Sequence, residues 1–224
     1  MTHRSAIAGQ GGGDASWWLL DGGIAPSSVI CVYVPVGAAS YPASLVNLAS
    51  PGDGDAVAIV APSWSAGAGW VFDGATTASR LTGPAMPAQR DITLIVRGWT
   101  TATGAANQML AGNGLLGAPG AVTISPRKTT PIREYRNGTN ITISGYHAAD
   151  GTMCVSGDSC YLNGLPDATI SGAVSWSGGT LQIGGVISGG SLLIGSVLAM
   201  ACYSVAMTAD QVADLHAYMM ELSA

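Results

Sequence analysis

Along most of the chain, apolar and polar residues alternate in short runs broken by Gly, Pro, Asn and Ser. Such runs occur at residues 28–34 (SVICVYV), 69–74 (GWVFDG), 91–99 (DITLIVRGW), 107–112 (NQMLAG), 121–125 (AVTIS), 140–144 (NITIS), 152–156 (TMCVS), 180–185 (TLQIGG) and 191–204 (SLLIGSVLAMACYS). A period of two with frequent turn signals predicts β-strands. In 91–99, Ile92, Leu94 and Val96 share one face while Thr93, Ile95 and Arg97 share the other. The second face is mostly apolar too, so this strand belongs inside a sandwich. Two stretches of like design, EYRNGTNITISG (134–145) and DSCYLNGLPDATISG (158–172), place Asn-Gly between β-formers. Both residues tolerate the positive φ of a type I′ turn, so hairpins are predicted at 137–138 and 163–164.

The period changes only near the C-terminus. Thr208 is placed to cap a helix, Gln211 completes a capping box, and Asp210 sits in the positively polarised first turn. Val212, Leu215, Met219 and Leu222 then form one apolar stripe, predicting a helix over 208–222 that closes an open edge or end of the sandwich. His216 flanks the stripe and reads as a packing or surface residue. The fold class is therefore all-β, a two-sheet antiparallel jelly-roll sandwich with one C-terminal α-helix. Its 224 residues suit one domain over 17–224, preceded by a flexible Gly-rich arm at 1–16.

Composition changes the picture in three ways. Charged residues make up only 9% of the chain against 48% hydrophobic and 32 glycines, a surface suited to packing against neighbours. No charge occurs between Asp167 and Asp210, yet the most apolar stretch, 191–207, is interrupted by Ser and Gly and falls short of the roughly 20 apolar residues a span needs. No membrane span is expected, and the opening MTHRSAIAGQGGGDASWWLL lacks the continuous apolar segment of a signal peptide. A net charge of −5 argues against nucleic acid as a partner. Cys31, Cys154, Cys160 and Cys202 lack the paired spacing of a zinc site. Cys154 and Cys160 flank Gly157 symmetrically and would face each other across a hairpin. Free thiols are nevertheless expected, since no export signal takes the chain to oxidising surroundings.

Candidate chemistry is sparse. Glycoside hydrolysis needs two carboxyl groups, about 5 Å apart for retention and wider for inversion, and the only glutamates are Glu134 and Glu221. Asp53 and Asp55 in PGDGDA offer an acid pair or hard oxygen ligands for calcium, with a turn as the ordinary role for both and for Asp73. His3, His147 and His216 lie in no nucleophile-elbow context. The expected catalytic residues, cofactors and metals are none. Half of the eight basic residues fall within 127–136, namely Arg127, Lys128, Arg133 and Arg136, against Glu134. This cluster is a candidate contact for anionic groups on a glycan or an acidic patch on a neighbour. Trp64 and Trp176 are the candidate aromatic platforms for sugar.

Several of these pieces together resemble the concanavalin A-like, or laminin-G-like, jelly-roll superfamily. They are Gly-Trp-x-Phe-Asp-Gly at 69–74, the strand at 91–99, the Tyr-x-Asn-Gly hairpin at 161–164, LQIGG at 181–185, and VLAMACYSVAM leading into TADQVADL. The stretch from Trp17 through residue 52 and the two Asn-Gly hairpins look like stand-alone members encoded by tailed bacteriophages and prophages. The hydrolases of the superfamily carry a Glu-x-Asp-x-x-Glu strand motif, which this chain lacks entirely. The resemblance implies a non-enzymatic virion structural protein, a capsid decoration or tail-associated module located in the virion. Its partners would be other virion proteins, in many copies or as a homo-oligomer. The alternative is a lectin-like module for host surface glycans, and a hydrolase is a distant third. The acceptor patterns at Asn137 and Asn140 would carry no glycan in that setting.

Overall fold

The computed structural model describes residues 17–74, 79–101, 107–114, 120–127, 132–145, 147–172, 176–186 and 191–223. The arm expected at 1–16 lies outside the described residues. A 3-10 turn (Trp17–Gly22) precedes β1 (Val29–Tyr33), the one-turn helix α1 (Tyr41–Ser44), β2 (Val57–Val60), β3 (Ser63–Ser65), β4 (Gly69–Asp73), β5 (Arg80–Met86), β6 (Thr93–Thr100) and β7 (Ala111–Gly112). There follow β8 (Val122–Ser125), β9 (Ile132–Asn137), β10 (Thr139–Ser144), β11 (Gly151–Ser156), β12 (Ser159–Leu162), β13 (Leu165–Thr169), β14 (Gly179–Ile183), β15 (Ile194–Tyr203) and the helix α2 (Ala209–Glu221).

The strands form two antiparallel sheets, as the alternation predicts. Sheet A runs β13-β12-β11-β6-β15-β4-β3, and sheet B runs β10-β9-β8-β7-β14-β5-β2. The apolar stretch considered for a membrane is β15, the hub of sheet A. β6 pairs along one side of it, while on the other side β4 takes residues 194–197 and β1 takes residues 200–203. No helix among the described residues is long and apolar enough to cross a membrane.

Sheet A is buried on both faces, which is why its strands are apolar at successive positions. Leu94, Val96, Met153, Val155, Val197 and Met200 meet Leu81, Val122, Ile124, Tyr135, Leu181 and Ile183 of sheet B in the inner core. Ile95, Cys154, Ala199, Ala201 and Tyr203 point the other way, into an outer core closed by Val212, Leu215 and Met219 of α2 and by Trp17. The Trp70 indole, fully buried, donates to Ser44 Oγ of α1 at 2.8 Å, which satisfies the one polar atom that burial would otherwise strand.

The helix forms where predicted. Thr208 Oγ1 accepts from the Gln211 amide and the Gln211 side chain accepts from the Thr208 amide, completing the capping box. It covers a face of sheet A, however, and not an edge or end of the sandwich. The physical reason is the second apolar face of β6, β11 and β15, which needs a cover. Arg97, the one charge on that face, is buried and grips the helix end. Its Nη1 donates to the Met219 and Leu222 carbonyls at 2.7 Å each, and its Nε and Nη2 reach Asp150 at 2.9 and 2.5 Å. Guanidinium charge at a helix C-terminus meets carbonyls that have no partner within the helix.

The hairpins differ from expectation in their axes. Asn163 and Gly164 take φ of +52° and +74° between Leu162 and Leu165, as a type I′ turn requires. At 137–138 only Gly138 has positive φ (+79°), and Asn137 pairs with Thr139 across it. Asn137 is instead a buried bridge, its Nδ2 donating to the Arg90 and Gly157 carbonyls. The β11–β12 turn is centred between Gly157 and Asp158, so Val155 faces Cys160 and Cys154 faces Tyr161. That half-residue shift sends Cys154 into the outer core and Cys160 into the inner one, on opposite faces of sheet A. The two cannot bridge across the hairpin, and all four cysteines are buried free thiols.

Candidate functional site

Covering one face of sheet A with α2 and the other with sheet B leaves the outer face of sheet B as the face against which no named helix or strand packs. Its chemistry follows from period-two alternation. Val122, Ile124, Tyr135, Leu181, Ile183 and Leu81 turn inward, so Thr123, Ser125, Glu134, Arg136, Gln182 and Thr82 turn outward. The strand registers align these residues across the sheet. One row runs Asn140, Arg136, Thr123, Gly112, Gln182, Thr82, Val57, and beside it lie Thr142, Glu134 and Ser125.

This polar row is exposed at its β10 end, at Asn140 and Thr142, and closed from solvent at its middle. Thr123, Ser125 and Glu134 have no exposed surface, and Arg136 has 6%. The charges offset each other, with Arg136 Nη2 standing 3.8 Å from Glu134 Oε1 and Asn140 Nδ2 donating to Glu134 Oε2 at 3.1 Å. Glu134 and Arg136 each have a further interaction. Ser125 Oγ lies 2.5 Å from the Gln108 carbonyl and 2.9 Å from that of Arg127. The buried Thr123 hydroxyl has no hydrogen-bond partner among the described residues, an arrangement that costs stability unless something serves it.

The residues singled out from sequence do not gather here as a cluster. Alternation along β9 sends Arg136 outward but Arg133 to the inner side, where it forms a two-point ion pair with Asp167 of β13 (Nε to Oδ2 2.7 Å, Nη2 to Oδ1 2.5 Å). Arg133 also donates to the Ser144 and Gly145 carbonyls, so it pins the two sheets together. Arg127 is half-buried just past β8, its carbonyl accepting from the Gln108 amide, and Lys128 lies outside the described residues. The basic cluster of the sequence is thus dispersed, because neighbours on a strand face opposite ways. Trp64 sits on β3 of sheet A with its Nε1 donating to the Pro35 carbonyl at 2.9 Å. Trp176 lies beside the β9–β10 hairpin, donating to Asn137 Oδ1 at 2.6 Å. Both rings are half-buried and they form no common platform.

The other candidates have structural roles. Asp55 Oδ1 accepts from the Asn47 and Gly52 amides, and the Asp53 carbonyl accepts from Asn47 Nδ2, so this loop is built as a turn. No group of three or more His, Cys, Asp or Glu among the described residues is placed to hold a metal. Glu134 is on the outer side of sheet B and Glu221 is in α2 beyond sheet A, so the whole sandwich separates the two glutamates. His147 is buried, and that burial lowers its pKa. His216 Nδ1 lies 2.9 Å from Thr152 Oγ1 under α2, and His3 is outside the described residues.

No protein-family model and no curated protein matches the chain. Solved structures do match at the level of fold. Trypanosoma rangeli sialidase in complex with 2,3-difluorosialic acid aligns at 13% identity and a TM-score of 0.60, over 88% of this chain and 34% of the enzyme. The chain therefore spans about a third of the sialidase. Domain 4 of AbnA, a GH43 extracellular arabinanase from Geobacillus stearothermophilus, in complex with arabinotriose, aligns at 12% identity and a TM-score of 0.60 over 84% of this chain and 98% of that domain. A botulinum neurotoxin type C structure, described by cell entry that depends on interaction with two ganglioside molecules, aligns at 6% identity and a TM-score of 0.56 over 87% of this chain and 52% of that one. These findings correct the expectation of a bacteriophage virion structural protein: the solved structures named above are of a sialidase, an arabinanase domain in complex with arabinotriose and a toxin described by its interaction with gangliosides. The motifs behind that expectation, such as Gly-Trp-x-Phe-Asp-Gly and the Asn-Gly turns, encode strands and hairpins of the sandwich and carry no information about a particle.

Proposed function

We propose that the chain is a glycan-binding module that takes a neutral oligosaccharide on the outer face of sheet B. The observation that carries the reading is the row of hydrogen-bonding side chains across that face, open to solvent at Asn140 and Thr142 of its β10 end. Sugar hydroxyls are both donors and acceptors and match such a row. Neutral sugar is favoured because Arg133 is held by Asp167 and Arg136 stands beside Glu134, so neither offers a free cation to an acidic group. The laminin-G-like resemblance and the likeness to a domain solved with arabinotriose support the same reading.

Calorimetric titration and a glycan array, with arabino-oligosaccharides and other neutral glycans in one arm and sialylated or sulfated glycans in the other, test it. Neutral oligosaccharides are expected to bind. Thr142→Ala and Thr180→Ala, both on the exposed part of the face, are expected to weaken binding about two- to tenfold each, the worth of one hydrogen bond. Binding nowhere on the panel, or binding untouched by both substitutions, overturns the proposal.

The module binds without cleaving. With Glu134 and Glu221 on opposite sides of the sandwich, no glutamate pair is available to one glycosidic bond. A reducing-end assay over the bound glycans is expected to show no release. Sustained turnover that disappears in Glu134→Gln would contradict this.

A further inference from the structure

The Cys154 and Cys160 thiols, which cannot bridge the β11–β12 hairpin, have a better-placed counterpart elsewhere. Cys31 on β1 and Cys202 on β15 are direct antiparallel partners, followed in register by the Val32–Ala201 and Tyr33–Met200 pairs, with a register shift on the other side between Val29 and Cys31. Both point into the inner core, as Tyr33 and Met200 do, whereas Val32 and Ala201 turn to the outer core. The two sulfurs therefore share a face, the condition that Cys154 and Cys160 fail. Directly opposed residues of an antiparallel pair have Cα atoms about 4.5–5.5 Å apart, inside the roughly 4.4–6.8 Å window of a disulfide. Neither residue has any exposed surface, and the structure holds both as thiols.

We propose that Cys31 and Cys202 form a disulfide when the chain folds in the presence of a small-molecule disulfide, joining β1 to β15. One cysteine thiolate attacks a sulfur of oxidised glutathione and expels a glutathione thiolate, leaving a mixed disulfide. The second cysteine thiolate then attacks the protein sulfur of that mixed disulfide and expels the other glutathione. Two thiols lose two electrons to the glutathione disulfide, which leaves as two glutathione thiols carrying the two protons. The timing follows from burial, which pushes the Cys31 thiol up to about 12 against the lowering hydrogen bonds of Tyr33 and the Cys202 backbone. Burial raises Cys202 as well, and the nearby Cys31 adds to it. In the finished fold both groups stay protonated and out of reach, so exchange takes place before β1 docks on β15.

The bond would close a loop containing nearly every strand, where a cross-link restricts the unfolded chain most. This inference stands independently of the glycan reading. The test is to refold the full chain from denaturant in a glutathione redox buffer or in dithiothreitol, alkylate free thiols under denaturing conditions, and map peptides without reduction. The oxidised arm is expected to yield one linked peptide pair containing Cys31 and Cys202, with Cys154 and Cys160 alkylated. Its melting temperature is expected to lie about 10 °C above that of the reduced arm. The difference should vanish in Cys202→Ala, and if that variant does not fold the wild-type map decides alone. Four alkylated cysteines in the oxidised arm, or a link through Cys154 or Cys160, overturns the proposal.

Discussion

Asp167→Ala is expected to lower the stability of the fold by about 3 kcal/mol, a cost set by leaving a buried charge without its partner. Arg133 and Asp167 expose only 11% and 12% of their side chains and join β9 of sheet B to β13 of sheet A. Without the carboxylate, Arg133 retains the Ser144 and Gly145 carbonyls, at 2.9 and 3.2 Å. The Tyr135 hydroxyl, 2.8 Å from Asp167 Oδ2, retains only the Tyr161 carbonyl at 3.1 Å. For a chain of this length the loss corresponds to a fall of roughly 6–12 °C in melting temperature. The double variant Arg133→Met/Asp167→Leu should lose less than Asp167→Ala, since it strands no charge. A single variant within about 0.5 kcal/mol of wild type would remove this pair from the interactions that hold the sheets together.

The same carboxyl sets an acid limit. Burial raises the Asp167 pKa, but hydrogen bonds from Arg133 and Tyr135 and the Arg133 charge outweigh it, and the net shift is downward from 3.8. A depressed folded-state pKa contributes stability that is fully present above the unfolded value and is lost as pH falls through the folded one. The stability gap between wild type and Asp167→Asn should therefore be constant above about pH 5 and shrink below about pH 4. Urea titrations across that range check it. A gap that widens on acidification would mean the shift has the opposite sign.

Much of the fold was legible because local signals agreed with one another. In β6 and β15 the alternation has two apolar faces, and the structure uses both. In α2 the cap, the box and the stripe all point to one helix. β5 was hidden because Gly83 and Pro84 sit inside it. The register shifts there, with Thr180 facing Ala85 and Gln182 facing Thr82, so the proline falls in a bulge and removes no needed ladder bond. β2 and β3, at four and three residues, are too short for a period to show. The basic cluster disperses because proximity in sequence is not proximity in space. On β9 the residues of like charge face opposite sides, and the partner that neutralises Arg133 comes from a strand in the other sheet. The polar face was in principle available from the discarded half of each alternation: Thr and Ser in AVTIS, Glu and Arg in REYRN, Asn and Thr in NITIS, Gln in TLQI. What the sequence could not give was that these halves align in one row, since that depends on non-local register.

The second large effect is expected at Arg97, the one charge in the mostly apolar second face of β6. Arg97→Ala removes the two charge-assisted hydrogen bonds to the Met219 and Leu222 carbonyls and the two to Asp150. The Met219 carbonyl keeps the Leu222 amide at 3.3 Å, and Asp150 can turn to water, so the cost is set mainly by the lost helix anchor. About 3 kcal/mol is expected, and Arg97→Lys should recover only part of it because an ammonium cannot reproduce the planar fork. The loss should concentrate in α2, the cover of the outer core. Hydrogen exchange of the α2 amides is expected to accelerate by about two orders of magnitude, while amides of β8 and β14 in sheet B change far less. Since α2 lies beyond sheet A from the polar row, the folded variant should bind oligosaccharide as the wild type does. Unaltered exchange in α2 would show that the helix is held by its apolar stripe alone. A matching loss of glycan affinity in the folded variant would mean that the binding face is not the outer face of sheet B.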